Sequence, residues 1–202
     1  FCGSSATFFL MPFFLASRLR MTTAEAALYL LPAAVSMSVF GPISGKIADR
    51  IGTRIPSTFG MILAIVSMYL YSTITLESNP MVVAVASAIS GTGMSIFMAP
   101  NASVMLGAAG RERYGIVSAF LNLTRNGAHV VGIAVPTAVV VLVMETMGYD
   151  ADLSDTEKLN DIGLRMAYVS AMTKAFLISI GLMIVATILV AISPIDKSLS
   201  SQ

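Results

Sequence analysis

Charge is what this sequence has least of: Asp, Glu, Lys and Arg make up 11% of the 202 residues, against roughly 25% in an ordinary soluble domain. Water therefore cannot be the solvent for most of its surface. The twelve Lys and Arg nearly balance the eleven Asp and Glu, and no basic block occurs, which leaves no electrostatic footprint for nucleic acid. A single cysteine, Cys2, excludes an intrachain disulfide and reads as a small apolar residue of a helix. With one histidine and no Cys/His cluster at ligand spacing, no metal site and no cofactor are expected. Neither HExxH nor GxSxG is present, and no paired aspartates flank the charged loop near residue 45, so the sequence does not read as an enzyme.

What is abundant is hydrocarbon. Apolar residues make up 56% of the chain, and they fall in stretches long enough to cross a hydrocarbon core of about 30 Å at 1.5 Å per residue. Six spans are expected, at about 1–17, 23–45, 56–75, 81–109, 114–144 and 171–192. The fold class is therefore all-α and integral to a membrane. Thr22-Thr23-Ala24-Glu25 is a capping box at the start of the second span, and Pro56 suits the opening of the third because its missing N–H would be unpaired there. Ser78-Asn79-Pro80 predicts a tight turn. The fourth and fifth spans are overlong, which predicts tilt or kinks. Pro32, Pro42, Pro100 and Pro136 lie inside spans, where neighbouring helices and hydroxyls must satisfy the freed carbonyls. Phe1 opens within an apolar run, so the chain is expected to begin inside a helix and to be a fragment.

Lys and Arg resist translocation and so set orientation. If the first span enters from the cytoplasm, the loops at 45–55 and 110–113 and the C-terminus lie inside, with six basic residues: Lys46, Arg50, Arg54, Arg111, Arg113 and Lys197. The other side holds four, Arg18, Arg20, Lys158 and Arg165. Acids crowd the long outer loop before the sixth span, where Ser154-Asp155-Thr156-Glu157 is a second capping box that predicts a short helix running toward that span.

Between the second and third spans the sequence reads Gly45-Lys46-Ile47-Ala48-Asp49-Arg50-Ile51-Gly52-Thr53-Arg54. Small residues bracket a charged core, so the glycines permit a tight path, Asp49 can accept from Arg50 or Arg54, and the cluster can latch one conformation. Gly45, Asp49, Arg50, Gly52 and Arg54 resemble the signature loop of the major facilitator superfamily. Leu31-Pro32-Ala33-Ala34, Gly91-Thr92-Gly93 with Pro100-Asn101, and Ser118 to Gly132 extend the likeness to the C-terminal half of the fourteen-spanner EmrB/QacA-type drug:proton antiporters. The resemblance implies one six-helix half built of 3+3 inverted repeats, partnered by an N-terminal half of the same transporter. It also implies a bacterial-type plasma (inner) membrane, and a half that does not transport alone.

Ser118, Asn122, Arg125, His129, Gly132 and Pro136 follow at steps of three and four, which puts them on one face of the fifth span. That stripe either lines a substrate pathway or is interhelical glue. Arg125 needs a partner or water wherever it sits. His129 either carries a proton or packs through a hydrogen bond. On the fourth span, Ser87, Gly91 and Ser95 read as a small-residue packing face; Met94, Met98 and Met105 either contact varied apolar substrates or fill the core, and Asn101 is a pathway candidate. Gly41 and Gly45 read as a close-approach pair, and Lys174 as a residue that snorkels to the outer interface. No acid lies mid-span. The function expected is secondary transport of a small molecule by alternating access, with proton-coupled efflux of amphipathic drugs first, and an uptake permease or a non-transporting sensor as alternatives.

Overall fold

The computed structural model describes residues 23–109, 113–148 and 162–192, together with residues 5, 7, 10–12, 14 and 15. Cys2, Thr22, loop residues 110–112, the outer loop with its second capping box and the C-terminal Lys197 lie outside the described residues. Those described between 5 and 15 are helical and are called α1. Five long helices follow: α2 (Thr23–Ile51), α3 (Arg54–Ser72), α4 (Met81–Ala109), α5 (Tyr114–Thr146) and α6 (Ile162–Ile192). All five are long and apolar enough to cross a membrane. In hydrocarbon, a helix is the one open structure that satisfies its own backbone groups, which is why such a sequence folds this way.

The helix ends differ from the expected spans in an instructive way. The loop expected at 45–55 is mostly helix: α2 continues through Lys46, Asp49 and Arg50 to Ile51, and only Gly52, at φ 84°, and Thr53 separate it from α3. Charge marks where the bilayer ends, not where a helix must end, and 29 residues of α2 span about 43 Å. Pro56 is consequently the third residue of α3 rather than its first, still inside the turn whose N–H groups have no helical partner. The sixth helix begins at Ile162, nine residues before the expected 171, and so carries Arg165 in its first turns, a charge that the apolar run used to place the span leaves out. The turn before α4 is held as its sequence suggests. Ser78 Oγ accepts from the Thr75 N–H at 2.9 Å, and Asn79 Oδ1 accepts from the Met81 N–H at 2.9 Å.

Helix α4 lies against both α2 and α3, and α6 lies against α3 and α5. Small residues decide the first two contacts. A Cβ placed on Gly91 would collide with the backbone of Ala33 in α2. One on Gly93 would sit 2.7 Å from the Gly60 carbonyl oxygen of α3, and one on Gly60 2.6 Å from that of Gly93. Ser87, Gly91 and Ser95 are all buried. The Ser87 hydroxyl donates across to the Tyr29 carbonyl at 3.0 Å, and Ser44 donates from α2 to the Ile96 carbonyl at 3.0 Å. Among the described residues nothing lies within 4 Å of a Cβ at Gly41 or Gly45, so the expected close approach is not made there. Helix α2 presents Ala26, Ala33, Ser44 and Ala48 inward instead, and at 100° per residue Gly41 and Gly45 fall beside that face.

A core of Leu10, Met11, Phe14, Met68, Tyr71, Met144, Tyr168 and Phe176 joins α1, α3, α5 and α6 toward the end at which α3 finishes and α6 begins. Tyr71 and Phe176 stack at 5.7 Å, the Tyr168 hydroxyl donates to the Leu10 carbonyl at 3.0 Å, and Thr173 donates to the Ser72 carbonyl at 3.2 Å. Because lipid is as apolar as these side chains, fit rather than water exclusion holds the bundle. Gly91→Leu in the full-length protein is expected to cost about 1–3 kcal/mol through overpacking, whereas Gly41→Ala is neutral; thermal unfolding in detergent, followed by size-exclusion recovery, checks both.

Candidate functional site

The charged segment after Gly45 forms the last two turns of α2, the Gly52-Thr53 turn and the first residue of α3. Gly52 adopts the left-handed conformation that only glycine takes without steric cost, and its N–H closes on the Ala48 carbonyl at 3.0 Å. Thr53 makes no side-chain cap; its carbonyl accepts instead from Ser57, N–H at 3.1 Å and hydroxyl at 2.7 Å. Lys46, Asp49, Arg50 and Arg54 are exposed. The expected pairing of Asp49 with Arg50 or Arg54 is absent, and among the described residues these four charges make no ion pair. One segment thus carries three cations and one anion to the membrane face, available to whatever lies beyond this helical unit.

On α5 the expected stripe divides along its length. Asn122 is exposed, Ser118, Arg125 and His129 are half-buried, and Gly132 and Pro136 are buried, followed by Val140 and Met144 on the same face. His129 Nδ1 and the Ser5 hydroxyl are hydrogen-bonded, which ties α5 to α1. On α4 the change runs the same way in space: Ser87 is buried, Met94 and Met98 are half-buried, and Asn101 and Met105 are exposed. Asn101 lies eight residues before the end of α4 and Asn122 eight after the start of α5, so both sit about 12 Å from the short α4–α5 connection. The two amides share a depth, on faces open at that end of the bundle and closed at the other. Among the described residues no group of three His, Cys, Asp or Glu is placed to hold a metal.

Sequence reasoning missed a cavity of about 370 Å³ near the middle of the spans, between α3, α4, α5 and α6. Met61, Met94, Phe97, Gly132, Pro136 and Met183 contribute to its wall. Its depth follows from its lining, for these residues lie near the midpoints of their helices. Ser179 supplies a hydroxyl, which donates to the Ala175 carbonyl at 2.9 Å, in a wall that is otherwise mostly apolar. The signal that could have found it is the run Ala171, Ala175, Ser179, Met183 at steps of four on α6, whose small residues leave room facing Gly132 and Pro136.

The described chain is therefore a membrane bundle whose fifth helix carries a half-buried arginine and whose second and third helices meet at a charged glycine turn. The family description "Major Facilitator Superfamily" matches residues 1–133. The chain belongs to the major facilitator superfamily. It is an integral membrane protein of a family of transporters, not of enzymes. Relatives fall in the same group: an uncharacterized MFS-type transporter YhcA of Bacillus subtilis is 32% identical over 92 residues, 46% of this chain and 17% of that protein. The lincomycin resistance protein LmrB of Bacillus subtilis is 24% identical over 176 residues, covering 85% of this chain and 37% of LmrB. A tetracenomycin C resistance and export protein of Streptomyces glaucescens is 27% identical over 136 residues, 67% of this chain and 24% of its own length. Each match thus spans less than two-fifths of the relative.

The Ser5–His129 contact is a side-chain hydrogen bond between α1 and α5 that can be tested by a mutant cycle. Combining Ser5→Ala with His129→Ala is expected to give a coupling of about 0.6 kcal/mol, the usual size for such pairs in a membrane. A double-mutant cycle on the unfolding of the full-length protein measures it, and additive single effects would contradict the contact.

Proposed function

We propose that this chain is one six-helix half of a proton-coupled exporter of amphipathic organic molecules, working by alternating access against an N-terminal half of the same transporter. The pairings α1–α5, α1–α6, α2–α4, α3–α4 and α3–α6 map onto one another when α1–α3 are exchanged with α4–α6. That relation supports a 3+3 inverted repeat, a build in which substrate sites lie near the bilayer midplane. The observation that carries the reading is the apolar midplane cavity, with Met61, Met94, Phe97 and Met183 in its wall. Thioethers bend and polarise, so such a wall accepts differently shaped apolar groups rather than one. Drug-resistance names among the relatives point the same way.

In this mechanism Asn101 and Asn122 stand on the open faces at one depth and offer hydrogen bonds to the polar part of a substrate, while the cavity takes its apolar part. Arg125 stands between them in depth and fixes the sign of the local potential, which a neutral or transiently neutralised neighbour in the other half can modulate as protons exchange. A charge in hydrocarbon costs about 2.5–3.5 kcal/mol on insertion scales, so it is retained where it does electrostatic work. His129, bonded to Ser5, reads better as a packing contact than as the proton carrier. At the membrane face the uncompensated charges of Lys46, Asp49, Arg50 and Arg54 form the latch, pairing with the other half in one state and releasing it in the other. The basic count supports a cytoplasmic location for this face, the α4–α5 connection and the C-terminus, in a bacterial-type plasma membrane.

The test uses the full-length transporter in proteoliposomes with an imposed pH gradient and a fluorescent lipophilic cation. Gradient-driven export is expected, with Arg125→Ala reducing the rate at least tenfold. Gly132→Leu, which fills the cavity, is expected to raise KM for bulky dyes more than for small ones. Accumulation of substrate along the gradient would replace export by uptake, and binding without flux would replace transport by sensing.

A further inference from the structure

Helices α3 and α6 are closed together at one end and part at the other. Where α3 finishes, the Tyr71–Phe176 stack and the Thr173 bond to the Ser72 carbonyl pin them. Where α3 begins, they leave a groove of about 320 Å³, lined by Arg54, Ile55, Thr58, Phe59 and Ile62 of α3 and by Ala191 of α6. Ala191 is a small residue one position from the end of α6, and its missing bulk keeps the groove open.

The lining is ordered. Arg54, Thr58 and Ile62 are spaced by four and share a face of α3, flanked by Ile55 and Phe59. Thr58 therefore sits about 6 Å deeper than Arg54, and Ile62 about 12 Å deeper. A cation comes first, then a hydroxyl, then exposed hydrocarbon: Phe59 is 52% and Ile62 47% exposed. Neither the Arg54 guanidinium nor the Thr58 hydroxyl has a hydrogen-bond or ionic partner among the described residues. Phosphate, glycerol ester and acyl chain follow one another in a glycerophospholipid in that same order and over a similar depth.

We propose that this groove binds one anionic phospholipid, with its phosphate on Arg54, an ester carbonyl accepting from Thr58 and one acyl chain against Phe59, Ile62 and Ala191. Charge selects the anionic class. At this membrane face the described charges are Lys46, Arg50, Arg54 and Arg113 against Asp49, all exposed and none ion-paired within the described residues, and a basic juxtamembrane cluster attracts anionic lipid. Arg54 and the turn that holds it then join the latch to the composition of the surrounding leaflet. The inference needs the membrane and the groove, not the direction or coupling of transport, so it survives or fails independently of the export reading.

The experiment places the full-length transporter in nanodiscs of phosphatidylcholine containing a minority of phosphatidylglycerol. Trace amounts of either lipid carry a photoactivatable diazirine in one acyl chain, and adducts are mapped by peptide mass spectrometry. Adducts on residues 55–62 and beside Ala191 are expected, several-fold more from phosphatidylglycerol than from phosphatidylcholine. Arg54→Gln should bring the two lipids level and Arg54→Lys should keep most of the preference. Ala191→Phe should remove adducts of both at Phe59 and Ile62, with thermal unfolding showing each variant folded. Inorganic phosphate in the buffer should leave the labelling unchanged. Equal labelling by the two lipids in the native protein, a preference that survives Arg54→Gln, or loss of it to free phosphate would each overturn the proposal.

Discussion

How closely α4 can approach its neighbours governs this bundle. Inside a bilayer no water is released when two apolar helices meet, so association rests on dispersion, and dispersion falls away over a few tenths of an ångström. Gly91 against Ala33 and Gly93 against Gly60 bring backbones nearly into contact, and serine hydroxyls of α2 and α4 cross the first of these seams to carbonyl groups. With α2 and α3 fixed on α4, the remaining helices are placed through α3, which meets α6, and through α6, which meets α5. The midplane cavity is the counterpart of this arrangement: where α4 spends its small residues on α2 and α3, it makes only light contact with α5, and space is left among the four helices.

Polarity is distributed along the axis of the bundle rather than around it. The faces of α4 and α5 that are buried at Ser87 and Met144 are exposed at Asn101 and Asn122. The midplane cavity is walled mostly by apolar side chains, and the two amides lie nearer the membrane face.

Much of this was legible from residues alone. Spans came from runs of hydrocarbon, the turn before α4 from Ser78-Asn79-Pro80, and the packing face of α4 from Ser87, Gly91 and Ser95 at helical spacing, because each of these signals is local. Two kinds of feature were not. Helix ends were misplaced at Ile51 and Ile162, since a charged residue is compatible with a helix that projects past the bilayer. Which glycines meet a neighbour also depends on how a helix is rotated in the bundle. Gly41 and Gly45 have the spacing of a contact pair yet face open space, while Gly60 and Gly93, on different helices, make the contact. The cavity is likewise a property of four helices at once, so its lining showed in the sequence only as an unremarked small-residue run on α6.

The link between α2 and α3 is two residues, Gly52 and Thr53, and beyond it these helices touch little. A tether that short leaves α2 and α3 coupled chiefly through α4, which packs against both. Tilting α2 turns α3 about its first residue, and since α4 grips both, the three move as one lever whose far arm ends at the Tyr71–Phe176 stack. A small force on the charges around Asp49 is thereby delivered across the thickness of the bilayer, to the place where α3 and α6 are clasped.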